Sequence, residues 1–180
     1  ETKKLGEGEI KRMFSDKHLV MSAQSNCNVM DFLDGQIDAI EKAVIKEVKL
    51  LYPFEKLLTV PGIGNILGMT IMLESGDMNR FQEVSNYSSY CRCVSSKKVS
   101  NGKKKGENNK KNGNKYLAWA YVEAANFMRR FCPQARSWHQ RKVSKTNQIV
   151  ATKALSNKIA RACYFIIKDQ TDFDPEMLFK

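Results

Sequence analysis

The stretch LLTVPGIGNILGMTIML, Leu57–Leu73, decides the reading of the whole chain. An apolar helical pattern is interrupted by Pro61-Gly62-Ile63-Gly64 and then resumes. This is the sequence shape of a helix-hairpin-helix. Pro61 fixes its own φ and discourages the first helix from continuing. Gly62 and Gly64 lack a Cβ, so the chain can turn sharply there and come close to a ligand. The second helix then opens with unpaired N–H groups that suit a phosphate oxygen. Gly62, Gly64 and Asn65 are therefore candidate nucleic-acid contacts. A tight turn between two core helices is the competing reading of Pro-Gly alone; two glycines set between apolar helices favour the backbone-gripping one.

Outward from this stretch, 180 residues suffice for one compact domain plus an appendage, and 42% hydrophobic residues support a core. The formal net charge is +11 and the pI about 9.5. That balance points to a polyanion, either nucleic acid or an anionic membrane surface. No apolar run reaches the roughly 20 residues needed to span a bilayer, and no secretory signal opens the chain. Residue 1 is Glu, so the chain reads as a fragment or a processed product. Cys27, Cys91, Cys93, Cys132 and Cys163 are odd in number and irregular in spacing, and histidine occurs only at positions 18 and 139. This argues against a zinc site and for free thiols in a reducing cytoplasm.

The periodicities predict an all-α protein with no convincing strand and no βαβ alternation. Residues 1–26 are polar, with Ile10, Met13, Phe14 and Lys17 marking a short helix. Residues 28–52 form a long helix in which Met30, Leu33, Ile37, Ile40, Val44 and Leu51 make a heptad seam, interrupted at Glu47. The seam packs either within its own domain or against a second copy, and its place ahead of the domain favours a coiled coil. The expected division is 1–52, a linker and coiled-coil-like helix, and 53–180, a helical domain. Residues 83–94 form another short helix. Residues 95–115, rich in Lys, Gly, Asn and Ser, cannot bury a core and read as a mobile loop or flexible hairpin. Their lysines Lys97, Lys98, Lys103, Lys104, Lys105, Lys110 and Lys111 are candidates for further backbone contacts.

Beyond this loop, Leu117, Ala120, Tyr121, Ala124, Phe127, Met128 and Phe131 make one apolar helical stripe, ended or bent at Pro133. Arg129 and Arg130 face away from it and are candidate phosphate contacts. A short basic helix lies around 135–142. A last helix runs over about 147–168, with Leu155, Ile159, Ala162, Cys163 and Ile166 on one face. Glu123 reads as structural, His139 as surface or core, and Cys91 and Cys93 as buried hydrophobes.

The order of these segments resembles a known family: the VPGIG hairpin, ESGDMNRF, a serine-bearing polar loop, NKKNGNKYLAWAYVEAA, KTNQIVATKALSNKIARACYFIIKD and FDPEMLF. It is similar to the C-terminal transposase domain of the insertion sequence 110 family of bacterial transposases, over roughly residues 28–180. The resemblance implies an enzyme in two parts. One is an N-terminal RuvC-like domain holding acidic residues and divalent metal (Mg2+), expected before residue 1. The other is a C-terminal domain supplying a serine that attacks DNA. It further implies a coiled coil through residues 28–52 that builds dimers or tetramers, a structured guide RNA in some members, and a bacterial, nucleoid-associated location. This chain is then expected to bind DNA, to hold no cofactor of its own, to engage no membrane and to be inactive alone.

Laid on this chain, the family pattern puts the nucleophile at Ser100, within VSNGKKKG, with Ser96 as the alternative. Val99 stands where the family's first serine would be. A serine attacking a phosphodiester conserves the bond in a phosphoserine link. Nearby cations must offset the charge that develops on phosphorus oxygens. Lys97, Lys98, Lys103, Lys104 and Lys105 are the candidates. The rival reading is a non-catalytic helix-hairpin-helix DNA-binding module. A hairpin-containing DNA glycosylase is set aside, because Asp77 follows the hairpin glycines too early and the cysteines do not fit a cluster.

Overall fold

The computed structural model describes residues 5–48, 52–94, 97–107 and 112–180. Contact density divides the chain into two units, Glu1–Lys46 and Glu47–Lys180.

The first unit holds α1 (Glu7–Met13) and most of α2 (Lys17–Val48). The Gly6 N–H donates to Glu9 Oε2 at 3.1 Å at the start of α1. Asp16 starts α2, its Oδ1 accepting from the N–H groups of His18 at 2.7 Å and Leu19 at 3.2 Å. Such a cap satisfies donors that the first helical turn leaves unpaired. The long helix therefore begins about three turns earlier than the heptad pattern alone indicated, at Lys17 instead of residue 28. Met30, Leu33, Ile37 and Ile40 of the seam are all more than half exposed. Leu51, assigned to the same seam, lies outside the described residues.

The second unit is built on α6 (Lys115–Phe131) and α8 (Gln148–Asp169). Leu117, Ala120, Tyr121, Ala124, Ala125 and Met128 of α6 meet Leu155, Ile159, Ala160 and Cys163 of α8 in one buried cluster. Around this pair pack α3 (Tyr52–Leu58), α4 (Asn65–Ser75), α5 (Val84–Tyr90) and α7 (Pro133–Lys145), with α9 (Pro175–Phe179) against α7. Each large apolar side chain fully withdrawn from water contributes about 1.5–3 kcal/mol. Small residues at Ala120, Ala124 and Ala160 let the central helices approach.

The core also carries polar groups, several of them paired, while the buried Ser88 Oγ has no hydrogen-bond partner. Tyr87 OH lies 2.8 Å from Ser75 Oγ and 2.6 Å from Tyr121 OH. Tyr164 OH donates to the Phe81 carbonyl at 3.0 Å. Burial holds the phenols of Tyr87 and Tyr121 well above their ordinary value, so both stay neutral donors. Cys91, Cys93, Cys132 and Cys163 are buried free thiols, as the sequence suggested. Burial raises Cys93 to about 11 and Cys163 to about 12, which keeps them protonated and unreactive.

The fold is all-α apart from one small element, the hairpin alternative of the loop-or-hairpin reading of residues 95–115. The lysine-rich loop forms β1 (Lys97–Ser100) and β2 (Lys103–Glu107), paired antiparallel with an irregularity between Lys98 and Val99. Asn101 and Gly102 both have positive φ, 52° and 70°. Two successive residues with positive φ make the tight turn whose twist matches a hairpin. Local turn chemistry forms this hairpin without a hydrophobic face.

Candidate nucleic-acid interface

The α3–α4 turn is closed by its own backbone. The N–H of Thr59 donates to Lys56 O at 3.2 Å, Val60 to Leu57 O at 3.1 Å and Ile63 to Val60 O at 3.0 Å. Val60 and Ile63 are buried, which anchors the turn to the core. Thr59 Oγ1 donates to Lys56 O at 2.7 Å and accepts from the Phe173 N–H at 2.9 Å, pinning the turn to the C-terminal segment.

The two glycines do different things. Gly62 has φ +95°, and a Cβ there would lie 2.6 Å from Met128 N and 2.9 Å from Ala124 O. Its close approach is to the backbone of α6. Gly64 has an ordinary φ of −98° as the N-cap of α4, and a Cβ there would meet nothing within 4 Å. Gly64 faces open space. The first bond of α4 runs from Gly68 N–H to Gly64 O at 2.8 Å. The N–H groups of Asn65, Ile66 and Leu67 therefore stand ahead of the ladder, at the positive end of the helix dipole. A groove of about 450 Å³ opens here between Gly62, Gly64, Asn65, Ile66, Phe127 and Phe131.

Phe127 and Phe131 depart from the predicted stripe. They are 38% and 68% exposed, while Ala125, left out of the stripe, is buried. The reason is α4, which takes the face of α6 beside Ala124 and Met128 through Gly62 and leaves the two rings at the rim. Arg130 sets its guanidinium 5.5 Å from the Phe127 ring. Arg129 is partly buried on another side, its Nη2 donating to Asn126 Oδ1 at 3.1 Å.

Ser100 ends β1 directly before the Asn101–Gly102 turn and is exposed, as are Lys103 and Lys105. At Lys97, Lys98 and Lys104 the description covers the backbone only. Ser96, Lys110 and Lys111 lie outside the described residues. The structure thus gathers Gly62, Gly64 and Asn65 at one groove beside Arg130, and sets Ser100 on a separate hairpin tip.

Two motifs prove to be joints. In ESGDMNRF, Asp77 caps a single 3-10 turn (Met78–Arg80) through Asn79 N–H at 2.9 Å. Arg80 stacks at 4.5 Å on both Phe81 and Tyr90. In NGNKYL, a Cβ on Gly113, at φ +89°, would stand 2.5 Å from Tyr90 O. Asn114 N–H donates to Tyr90 O at 2.7 Å. Its Nδ2 donates to Glu74 Oε2 at 2.6 Å, and its Oδ1 caps α6 at Tyr116 and Leu117. Sequence reasoning missed this latch, although Gly-Asn before an amphipathic stripe is the pattern of a helix start.

Residues 54–140, which span the turn, both joints, the hairpin and α6, match the sequence profile of the family described as "Transposase IS116/IS110/IS902 family". These residues belong to that transposase family. A curated relative, "Probable family 20 transposase" of Pseudomonas aeruginosa, is 26% identical over 147 residues. That alignment covers 79% of this chain and 44% of the relative, so the chain spans less than half of the length of the transposase it matches. Within the matched residues, the groove at Gly64 and the Ser100 hairpin are exposed features to which function can be attached. No helix among the described residues is long and apolar enough to cross a membrane.

Proposed function

We propose that this chain is the DNA-binding C-terminal part of an insertion-sequence transposase and that Ser100 is its nucleophile in strand cleavage and exchange. The observation that carries the reading is the placement of Ser100: exposed, at the tip of a lysine-bearing hairpin, in a chain whose residues 54–140 match a transposase family. The Ser100 oxygen bonds to phosphorus while a deoxyribose hydroxyl leaves, its oxygen taking up a proton. Reversal of that step rejoins a strand without an outside energy source. Lys103 and Lys105, on the paired strand, offset the charge that builds on the phosphoryl oxygens.

The α3–α4 turn holds the DNA backbone as a helix-hairpin-helix, with a phosphate at the free N–H groups after Gly64. Divalent metal belongs to the acidic domain that the resemblance implies elsewhere in the longer protein. Among the described residues no three His, Cys, Asp or Glu side chains converge to hold an ion. The exposed seam of α2 pairs with a second copy, and the protein works on the nucleoid in the bacterial cytoplasm. The net charge of +11 suits a guide RNA as well as DNA, and direct binding assays with both polymers rank them.

The test uses the full-length protein that contains this chain. Ser100→Ala abolishes strand exchange and leaves DNA binding intact, and a trapped protein–DNA adduct maps to Ser100. Retained recombination, or an adduct on Ser96, overturns the assignment. An intact protein that binds DNA and forms no adduct supports the non-catalytic module instead.

A further inference from the structure

From Ala124 to Lys168 the chain has no Asp or Glu, while ten positions are Lys or Arg. Part of this stretch folds around a cavity of about 420 Å³, where the end of α6, the outer side of α7 and the start of α8 meet. Arg129, Arg136, His139, Gln140, Ser144 and Gln148 line it. None of them lines the groove at Gly64.

Each lining group is fixed or left open in a way that favours an anion. Arg136 donates from Nε to Arg129 O at 3.0 Å and from Nη2 to Arg130 O at 2.8 Å, which ties its guanidinium to the last carbonyls of α6. Arg129 spends Nη2 on Asn126, and its buried Nε has no hydrogen-bond partner. Two guanidinium groups thus share one cavity with no carboxylate in its lining, an arrangement that like-charge repulsion disfavours until an anion enters. The α8 N-terminus adds to the positive field. Its Asn147 cap serves the Val150 N–H at 2.9 Å, and the first helical bond runs from Ala151 to Asn147 O at 2.9 Å. The N–H groups of Gln148 and Ile149 remain ahead of the ladder. Gln140 and Gln148 are exposed and bring carboxamide donors to the rim. Burial, and then the charge of Arg129, depress the buried His139 imidazole below its ordinary value, in keeping with a positive site.

We propose that this cavity binds a phosphate of a nucleic-acid backbone, as a contact separate from the α3–α4 turn. The proposal rests on the nucleic-acid reading above. A planar guanidinium with free donors, carboxamides and helix N–H groups together match the oxygens of a phosphodiester. Free phosphate shares that chemistry, and a second measurement separates the two sources.

The experiment titrates the 180-residue chain into a labelled mixed-sequence duplex across a salt series, read by fluorescence anisotropy. Gln148→Glu places a carboxylate at the rim, on an exposed position where an acidic residue also favours the helix start. Gln82→Glu is the control. It makes the same charge change near Lys168, about 30 Å away along α8 at 1.5 Å per residue. The expected result is an affinity loss on the order of tenfold for Gln148→Glu, with the salt slope reduced by about 0.9, the value of one phosphate. Gln82→Glu stays within about twofold of the unaltered chain. Equal effects of the two variants overturn the cavity assignment while the nucleic-acid reading stands. An unaltered chain that does not bind the duplex removes that reading and the cavity with it. The second measurement follows the His139 imidazole resonance. It moves with the duplex and not with inorganic phosphate at equal ionic strength; the opposite pattern makes the cavity a free-anion site and overturns the backbone contact.

Discussion

A methyl group on Gly62 would stand 2.6 Å from the Met128 amide nitrogen, whereas one on Gly64, two residues on, would touch nothing. Glycine is therefore required at the first position by packing and at the second only by whatever approaches from outside. The first clash is with helix backbone, which cannot swing aside as a side chain could, and φ +95° adds strain for any residue with a Cβ. Gly62→Ala is expected to cost roughly 2–4 kcal/mol of stability in chemical denaturation. Gly64→Ala keeps its φ and should cost less than about 1 kcal/mol, while weakening duplex binding because its methyl stands where the phosphate must come. Equal loss of stability at both positions, or undiminished binding by Gly64→Ala, would contradict the division of labour. Both glycines are visible in the sequence. Which one serves the fold is not, because the residues that crowd Gly62, Ala124 to Met128, arrive more than sixty residues later.

At the scale of elements, helix starts are set by caps that periodicity overlooks. Asp16, Asn114 and Asn147 each offer a side-chain oxygen to N–H groups of the following turn, and each fixes where a helix begins. The stripe over Leu117–Phe131 and the last helix expected over about 147–168 correspond to α6 (Lys115–Phe131) and α8 (Gln148–Asp169), because a repeat of three and four residues suffices to mark a buried face. The β-hairpin is not legible that way. It has no alternating apolar face, and its only local signal is Asn101-Gly102 between lysine-rich flanks.

The seam of α2 is the reverse case, a clear pattern of which Met30, Leu33, Ile37 and Ile40 stand exposed. Ile37 and Ile40 are 51% and 63% exposed, and burying such side chains contributes about 1.5–3 kcal/mol each. Replacing both with Asp should convert a self-associating chain to a monomer in analytical ultracentrifugation without lowering the helix content of the remainder. A parent chain that is itself monomeric at high concentration would remove the coiled-coil proposal.

Over the whole molecule, charge and core are segregated. Helices α6 and α8 sit at the centre of the buried cluster, and the acid-free basic stretch runs from α6 through α7 into α8. His139 lies where the two meet, buried, its Nε2 3.0 Å from Thr152 Oγ1 across to α8. Because burial and then Arg129 lower its pKa, the unfolded chain takes up a proton at a pH where the folded chain does not. Stability is therefore full above the ordinary imidazole value of about 6.5 and falls as the pH drops towards the depressed value. The unfolding free energy should decline between about pH 7 and pH 5, by no more than about 1.4 kcal/mol per pH unit from this group, and is read as a falling thermal midpoint. His139→Gln, which can keep a bond to Thr152, should flatten that decline. An unchanged slope would show that other groups carry the acid sensitivity.

The sequence by itself determined the helical class, the turn at Pro61–Gly64, the basic charge and, through ordered motifs, the transposase resemblance. These are properties of local periodicity, backbone stereochemistry and composition, which need no knowledge of distant partners. Only the tertiary structure decided that Gly62 belongs to α6, that Gly113 and Asn114 lock α6 to Tyr90 and Glu74, and that Phe127 and Phe131 stand at the rim of a groove instead of in the core. It alone brought Arg129, Arg136 and Gln148 around one cavity. Such assignments depend on which face meets which neighbour, and that is set by the packing of helices far apart in the chain.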